Sequence, residues 1–288
     1  MKVKKAVIPA AGLGTRMLPA TKAIPKELLP LLDKPVLQYI VEEAVAAGIE
    51  DILIITNRGK SAMEDYFDYM PDLQERLAAD GKEDLLAQVK NPADMANFYF
   101  LRQKETNGLG HAIWRAKSFV GDEPFAVLLG DDVMRAEISV TRQLIDAAEK
   151  YGASCVGIKE VSDEAVAKYC SVEISPLEER IYRVTDMVEK PVPEEKFSNF
   201  AILGRYVLSP GIFPILETLP PGKGGEIQLT DGLQRLCQAE PMVAKDFVGK
   251  RYDTGNLVGF LEATLAFAQD HPETGAWLKG QSIGNYSF

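Results

Sequence analysis

The strongest constraint on the fold is a glycine turn near the N-terminus, within residues 7–16 (V-I-P-A-A-G-L-G-T-R). A short apolar run predicts a buried strand. It ends at Gly12 and Gly14, which allow a tight turn and leave backbone N–H groups accessible to a ligand. A Walker A loop would need Gly-Lys-Ser/Thr, and a dinucleotide fingerprint would need a third glycine where Met17 stands. The stretch therefore predicts either a different kind of phosphate loop or a plain surface turn after a strand.

Positive charge is concentrated in the same region. The first 34 residues contain seven basic residues and two acids, whereas the whole chain has a formal net charge of −10. The basic residues are Lys2, Lys4, Lys5, Arg16, Lys22, Lys26 and Lys34. A local positive zone on an acidic protein fits the binding of a small polyanion, while a nucleic-acid-binding protein is more often basic over a whole face. We therefore expect neither nucleic acid nor a membrane as a partner.

The residues after the turn extend this pattern into a long signature. Residues 10–30 are A-A-G-L-G-T-R-M-L-P-A-T-K-A-I-P-K-E-L-L-P. This run resembles the signature of the sugar-1-phosphate nucleotidylyltransferases, and its A-A-G-L-G form is similar to the bacterial uridylyltransferase branch. The resemblance implies that the loop wraps a nucleoside triphosphate, with the catalytic side chains of Arg16 and Lys26 on its phosphates. The nucleotide contacts that it implies here are Ala10, Ala11, Gly12, Gly14, Thr15 and Glu27.

The order of apolar patterns predicts an α/β fold. An apolar stripe at helical spacing begins at Val36 and precedes a buried strand at residues 52–55, which implies a right-handed parallel βαβ unit. Residues 160–207 carry short stretches of alternating apolar and polar side chains, which predict antiparallel strands. We expect a Rossmann-like, mixed, mainly parallel sheet flanked by helices, with a small antiparallel sheet laid across the parallel core. At 288 residues and 46% hydrophobic content, a single domain (1–288) suffices.

Two segments are expected as additions to this domain. The first is a helical insertion at residues 62–97, because residues 62–94 carry nine acids, three bases and helical periodicity. The resemblance also implies an insertion here, which the shorter thymidylyl relatives lack. The second is a C-terminal helical tail at residues 256–288, in which Trp277 and Phe288 are expected to pack or to form a subunit contact. The resemblance implies a homodimer or homotetramer.

The amino-acid composition limits the kinds of site that this chain can form. No stretch approaches 18 uncharged apolar residues, so we expect a cytoplasmic protein without a membrane span. Cys155, Cys170 and Cys237 form no C-x-x-C and are expected as core residues in a reducing compartment. With only His111 and His271, a His-rich zinc site is excluded, and a Ser-His-Asp triad is disfavoured because G-x-S-x-G is missing. Metal binding then rests on carboxylates, which favour Mg²⁺.

Two adjacent acids follow a buried strand at residues 125–129. Asp131 and Asp132 would lie at the carboxyl end of that strand, where ligands collect in open parallel sheets, although such acids also cap helices. Adjacent side chains diverge at a strand end, so we expect only one of them to meet a metal. The resemblance implies Asp131 and Asp253, of the D-T-G turn, as Mg²⁺ ligands and places Asp132 nearer the sugar.

Base recognition is expected just after the strand at residues 98–101. Gln103 and the N-G-L-G-H-A segment that contains Gly108 suit a base contacted by a side-chain amide and stacked on glycine backbone. The same residues would also serve to cap a helix. The resemblance implies uracil contacts for Gln103 and Gly108, and a structural role in the loop for His111.

Sugar recognition is expected at three further places. Glu189 and Lys190, in V-E-K-P, place a carboxylate beside a cation, or else form an exposed strand end. The resemblance identifies them as the sugar-phosphate clamp, with Lys190 catalytic. Gly157, in a buried strand at residues 153–158, is expected to allow close approach of the sugar. Thr230 or Asp231, in G-E-I-Q-L-T-D, would line the sugar pocket or cap a helix.

These residues comprise cations, carboxylates and glycines without a candidate covalent nucleophile, which fits phosphoryl-type transfer by positioning and charge neutralisation. The resemblance implies transfer of a uridylyl group from UTP to glucose 1-phosphate, giving UDP-glucose and pyrophosphate, with Mg²⁺ as cofactor. The alternatives are a thymidylyl- or cytidylyltransferase and a non-catalytic regulator that binds nucleotide sugars. A dinucleotide-dependent oxidoreductase is disfavoured by the missing third glycine.

Overall fold

The computed structural model describes residues 2–279, which contain both β-strands and α-helices. The strands are β1 (Lys5–Pro9), β2 (Pro30–Leu31), β3 (Lys34–Pro35), β4 (Asp51–Thr56), β5 (Asn97–Arg102), β6 (Phe125–Leu128), β7 (Asp132–Arg135), β8 (Ser154–Glu160), β9 (Cys170–Glu178), β10 (Ile181–Glu189), β11 (Phe200–Leu208), β12 (Met242–Asp246) and β13 (Lys250–Asp253). The helices are α1 (Val36–Ala46), α2 (Ala62–Tyr66), α3 (Pro71–Ala79), α4 (Glu83–Asp94), α5 (Leu109–Arg115), α6 (Lys117–Val120), α7 (Val140–Tyr151), α8 (Asp163–Val166), α9 (Ile212–Thr218), α10 (Leu229–Ala239), α11 (Leu257–Asp270) and α12 (Pro272–Lys279).

Nine strands form one mixed sheet in the order β5-β4-β1-β6-β11-β8-β12-β10-β9. β5, β4, β1 and β6 are parallel to one another, and β8 is parallel to β12. Because β11 is antiparallel to both β6 and β8, the strands β8 and β12 run in the direction of β1. The predicted fold class, a mixed and mainly parallel sheet flanked by helices, is confirmed.

The alternating segment forms antiparallel strands as predicted. β11 lies in the middle of the main sheet, and the hairpin β9–β10 pairs through β10 with β12. The hairpin also returns to β11, because β9 pairs with it at Ser171 opposite Ala201 and at Cys170 opposite Ile202. Two small antiparallel sheets do form elsewhere, from β2 with β3 and from β7 with β13.

Helices cover both faces of the sheet. α1, α7 and α11 contribute to the core on one face, and α5, α9 and α10 to the core on the other. In α1, apolar side chains recur at helical spacing and are at most 1% exposed, namely Val36, Leu37, Ile40, Val41 and Ala44. Removing such side chains from water holds the helix against the sheet. The two layers thereby fix the carboxyl ends of β1 and β6, where the candidate site begins.

The acidic segment at residues 62–94 contains the three helices α2, α3 and α4. Met63 and Phe67 anchor it in the core, and all of its acids except Glu64 are exposed. This burial pattern agrees with helices that present a solvated acidic face. The division of the chain into one domain with an insertion stays a prediction.

Trp277, on the C-terminal helix α12, is 59% exposed, and its predicted packing or subunit contact stays a prediction. The predicted role of Phe288 falls outside the described residues. Cys155 and Cys170 are buried and Cys237 is partly buried, all as free thiols. Between residues 2 and 279, no helix combines the length and apolarity that crossing a membrane requires.

Candidate active site

The predicted glycine turn follows β1 and is accessible on one side. Gly14 has φ +68°, a left-handed conformation that glycine adopts without strain, and its carbonyl accepts a hydrogen bond from Thr21 Oγ1 at 2.8 Å. Apart from Gly12 and its two neighbours in the chain, no residue between 2 and 279 has an atom within 4 Å of the position that a Cβ on Gly12 would occupy. Ala11 and Gly12 line a cavity, whereas Ala10 is only 1% exposed. The exposed Thr15 begins a short 3-10 turn that also contains Arg16.

Opposite charges meet at Asp131, just beyond the end of β6. Lys26 Nζ lies 2.5 Å from Asp131 Oδ2, and Arg16 Nη2 lies 3.6 Å from the same oxygen. Burial acts to raise the pKa of Asp131, but the charges of Lys26 and Arg16 outweigh it and hold that pKa below its usual range. Burial likewise acts to lower the pKa of Lys26, and the charge of Asp131 outweighs it, so that this pKa is raised. Asp131 is therefore ionised and Lys26 protonated at neutral pH.

Asp253 lies beside Asp131 although the two are far apart in the sequence. The antiparallel pairing of β7 with β13 sets Asp132 opposite Asp253. Thr254 donates to the Asp131 carbonyl from its N–H at 2.9 Å and from its Oγ1 at 2.7 Å. A Cβ built on Gly255 would lie 2.6 Å from Asp131 Oδ2 and 3.0 Å from Asp253 Oδ1. The two carboxylates therefore flank one small space.

Two cavities meet at this point. One, of about 300 Å³, opens beside the glycine turn, and the other, of about 400 Å³, opens beside Asp253. Leu109, Leu129 and Asp131 line both. The predicted residues in the wall of the first are Ala11, Gly12, Lys26, Glu27, Gln103 and Gly108, and those in the second are Arg16, Asp132, Glu189, Lys190, Thr230 and Asp253. The fold thus provides space for two ligands that would touch near Asp131.

Gln103 is held in the first cavity by the loop that follows it. Its Nε2 donates to the Gly108 carbonyl at 3.2 Å and to His111 Nδ1 at 2.8 Å. Burial and the charge of Arg115 lower the pKa of His111, which favours the neutral ring that accepts this hydrogen bond. His111 thus orients the Gln103 amide, in agreement with the structural role expected for it.

Gly108 and Gly110 allow this loop to pack against the segment before α10. Gly108 has φ +95°, and a Cβ there would lie 2.7 Å from the Ile227 carbonyl oxygen. Gly110 N–H donates to the same carbonyl at 2.8 Å, and Ile227 N–H donates to the Asn107 carbonyl at 2.9 Å. The wall of the first cavity is thereby joined to the segment that leads to Thr230 in the second.

The second cavity contains the predicted carboxylate and cation side by side. Glu189 ends β10, and Lys190 follows it with φ +48° and its N–H bonded to the Tyr169 carbonyl at 2.8 Å. Lys190 Nζ lies 3.4 Å from Glu189 Oε1, and Thr230 Oγ1 donates to Glu189 Oε2 at 2.7 Å. The Lys190 side chain is half-exposed, so its charge is accessible to a ligand in this cavity.

The expectation that Gly157 admits the sugar is wrong. A Cβ on Gly157 would lie 3.4 Å from Leu144 Cδ2 and from Phe247 Cδ1, and 3.3 Å from the Arg205 carbonyl oxygen. Gly157 therefore faces α7 in the core, on the opposite side of the sheet from the cavity residue Tyr206. Its lack of a side chain serves the packing of that helix.

Two predicted ligand contacts are buried, and one carboxylate oxygen of each is paired within the protein. Glu27 is 1% exposed, and its Oε2 accepts a hydrogen bond from Lys60 Nζ at 2.8 Å. Asp132 is also 1% exposed, and its Oδ1 accepts from Arg251 Nε at 2.8 Å. Burial raises the pKa of Asp132 to about 6, opposed by the charge of Arg251. The other oxygen of each carboxylate, Glu27 Oε1 and Asp132 Oδ2, has no hydrogen-bond partner in the described part of the chain, and the two residues line the cavities, so their contacts with nucleotide and sugar stay predictions.

Several supporting residues had not been predicted from the sequence. Arg205 is fully buried, and its Nη2 donates to Glu43 Oε2 at 2.6 Å and to the Asp132 carbonyl at 2.7 Å. The available signal was a single arginine within the apolar strand β11. Lys60 and Arg251 gave a weaker signal, because isolated basic residues near turns are usually exposed.

The fold and this arrangement of cations, carboxylates and glycine turn define a nucleotidyltransferase. Residues 5–270 match the family model described as Nucleotidyl transferase, and the chain belongs to this family. It is 53% identical over 272 residues to the UTP–glucose-1-phosphate uridylyltransferase of Bacillus subtilis, covering 94% of this chain and 93% of that one. It is 51% identical over 278 residues to the enzyme of the same name from Staphylococcus epidermidis, covering 96% of each.

The chain is also similar to solved structures of proteins of this family. A UDP-glucose pyrophosphorylase complexed with UDP-glucose is 44% identical, with a TM-score of 0.86 over 94% of this chain and 100% of that one. A UTP-bound UGPase from Acinetobacter baumannii is 36% identical, with a TM-score of 0.91 over 99% and 100%. The predicted resemblance to the uridylyltransferase branch of the family is confirmed.

Proposed function

We propose that this chain transfers the uridylyl group of UTP to α-D-glucose 1-phosphate, giving UDP-glucose and pyrophosphate. The observation that carries the proposal is the meeting of two cavities at Asp131, where Lys26, Arg16 and Asp253 also converge. The names of the relatives point to the same reaction. Such a site joins two phosphorylated ligands by positioning them and neutralising their charge.

The nucleotide fits the cavity beside the glycine turn. Accessible backbone at Ala11 and Gly12 suits the phosphates, and the amide of Gln103 suits the edge of the base. Gly108 lies in the same wall, where its backbone offers a surface without a side chain. The sugar phosphate fits the second cavity, with Glu189 and Thr230 toward hydroxyl groups and Lys190 toward the phosphate.

Mg²⁺ is the cofactor that we propose for this site. Asp131 and Asp253 fit it because Asp131 Oδ2 and Asp253 Oδ1 approach the same side of Gly255, and Mg²⁺ commonly takes one or two carboxylates and completes its shell with substrate phosphates. In the described part of the chain no group of three or more acids, histidines and cysteines gathers to hold a metal. When bound, Mg²⁺ would neutralise phosphate charge in the space that both cavities share.

The reaction is an in-line displacement at the α-phosphorus of UTP. A phosphate oxygen of glucose 1-phosphate forms the new P–O bond, the bond from the α-phosphorus to the bridging oxygen breaks, and pyrophosphate leaves toward Arg16 and Lys26. Lys190 holds the attacking phosphate in line. The attacking oxygen is already anionic at neutral pH, so no side chain needs to remove a proton.

The substrate assignment is tested by a panel of nucleoside triphosphates against sugar 1-phosphates, scored by pyrophosphate release. We expect the highest kcat/KM for UTP with glucose 1-phosphate. A higher value for dTTP or CTP would show a thymidylyl- or cytidylyltransferase. No release with any pair would show a non-catalytic binding protein. Either outcome would refute the proposal.

Lys190→Ala is expected to impair use of the sugar phosphate specifically. Loss of a charge-assisted contact to phosphate should raise the KM for glucose 1-phosphate or lower kcat by about 10- to 100-fold, while the affinity for UTP stays unchanged. Steady-state kinetics with each substrate varied in turn measure the difference. Replacement of the exposed Lys117, outside both cavities, provides a control. Unchanged glucose 1-phosphate kinetics in Lys190→Ala would contradict the clamp.

We also propose that the protein acts in the cytoplasm as a homodimer or homotetramer. The support for self-association is the exposed apolar surface of Trp277 and of Leu257, Val258 and Leu261 on α11. Light scattering on the purified chain measures the number of subunits.

A further inference from the structure

We propose that Lys60 is a positioning residue that directs the amide N–H groups of the glycine turn at the triphosphate. This inference rests on the proposed function, because it concerns how the nucleotide cavity is formed. Lys60 lies between β4 and α2 and is 7% exposed, although its neighbours Gly59 and Ser61 are exposed. Gly59 has φ +90°, and the turn that it makes brings the lysine inward.

Two side chains that follow β4 hold the first carbonyls of the glycine turn. Lys60 Nζ donates to the Ala10 carbonyl at 2.6 Å, and Asn57 Nδ2 donates to the Ala11 carbonyl. The segment that supplies them is fixed relative to the turn, because β4 is parallel to β1 and the Ala10 N–H donates to the Ile55 carbonyl at 2.8 Å. The turn therefore takes its orientation from the neighbouring strand.

The direction of these carbonyls sets the direction of the N–H groups that follow them. In a trans peptide the C=O and the next N–H point in opposite directions. Holding the Ala10 carbonyl toward Lys60 turns the Ala11 N–H away from it, and holding the Ala11 carbonyl toward Asn57 does the same for the Gly12 N–H. Ala11 and Gly12 line the nucleotide cavity, and neither N–H donates to another group within residues 2–279. Both N–H groups are thus presented to a ligand.

The same lysine compensates the buried charge of Glu27. Lys60 Nζ donates to Glu27 Oε2 at 2.8 Å, and the Glu27 side chain is 1% exposed. Removing Lys60 alone would leave the buried Glu27 carboxylate without its ion-pair partner and destabilise the chain for that reason. A test of the positioning role must therefore separate the contact with Ala10 from the contact with Glu27.

The test compares Lys60→Met with a double variant that carries Lys60→Met and Glu27→Gln. UTP binding to the full chain is measured by calorimetry without glucose 1-phosphate, and the KM of each substrate is measured separately. We expect UTP affinity to fall about 10- to 100-fold in both variants, because a hydrogen bond from a charged donor is lost and the turn loosens. The KM for glucose 1-phosphate stays unchanged, and the double variant regains thermal stability. Lys117→Met, at an exposed lysine, binds UTP as the native chain does.

Native UTP affinity in the double variant would overturn the inference, since Lys60 would then serve only to neutralise Glu27. An equal rise in both KM values would overturn it as well, because a general loss of structure affects both cavities. If Lys60→Met alone does not fold, the UTP affinity of the double variant tests the inference. A native chain that neither binds UTP nor releases pyrophosphate would instead refute the proposed function, so the two failures are distinguishable.

Discussion

Asp131→Asn is expected to lower kcat with UTP and glucose 1-phosphate by about 10²-fold or more. The substitution removes the negative charge that lies 2.5 Å from Lys26 Nζ and that faces Asp253 across one small space. Lys26 and Arg16 would lose the anion that orients them, and the proposed metal would lose one of its two carboxylates. Pyrophosphate release at saturating substrate measures the effect.

The control for this variant is Asp146→Asn. Asp146 is an exposed acid on α7 that pairs with Arg142 and lines neither of the two cavities that meet at Asp131. It should leave kcat unchanged. Thermal unfolding of both variants separates loss of chemistry from loss of structure. Normal turnover of a folded Asp131→Asn variant with Mg²⁺ would contradict the role proposed for Asp131.

Glu43→Met is expected to lower the free energy of unfolding by about 3–5 kcal/mol. The Arg205 side chain is 1% exposed, and two of its nitrogens, Nε at 3.0 Å and Nη2 at 2.6 Å, bond the two carboxylate oxygens of Glu43. Without Glu43 the guanidinium charge would be buried and uncompensated. Urea denaturation of the native chain and the variant measures the loss.

The double variant with Glu43→Met and Arg205→Met is its matched control. Replacing both buried charges by apolar groups is often close to neutral, so part of the lost stability should return. The N–H and Oγ1 of Thr141, which donate to Glu43 Oε1, stay without that acceptor in both variants. Turnover should stay below the native value, because the Asp132 carbonyl loses the hydrogen bond from Arg205 Nη2. A single variant as stable as the native chain would contradict the importance of this ion pair.

The sequence predicts those parts of the site that depend on the pattern of residues within a single strand, helix or turn. Three elements have apolar residues at the spacing that their burial requires. They are the strand before the glycine turn, the helix that begins at Val36 and the strand before Asp131. Because the carboxyl ends of β1 and β6 lie side by side in a parallel sheet, Gly12 and Asp131 were expected at one edge. Both line the same cavity in the structure.

The sequence did not show those features of the fold and site that depend on contacts with a distant part of the chain. β8 is apolar on both faces, so the order of its residues does not show which face Gly157 occupies. Glu27 lines the first cavity, but its ion pair with Lys60 could not be predicted from the residues around it, because Lys60 comes from a different segment. The pairing of the hairpin β9–β10 with both β12 and β11 could not be read from its alternating pattern, because both partners come from later parts of the chain.

The most direct test of the site is the position of a divalent ion in crystals of the native chain grown with UTP and Mn²⁺ in place of Mg²⁺. We predict one anomalous scattering peak between Asp131 and Asp253, bonded to an oxygen of each and to phosphate oxygens of the nucleotide. A peak bonded to neither aspartate, with the nucleotide bound in the cavity beside the glycine turn, would contradict a metal site shared by these two carboxylates.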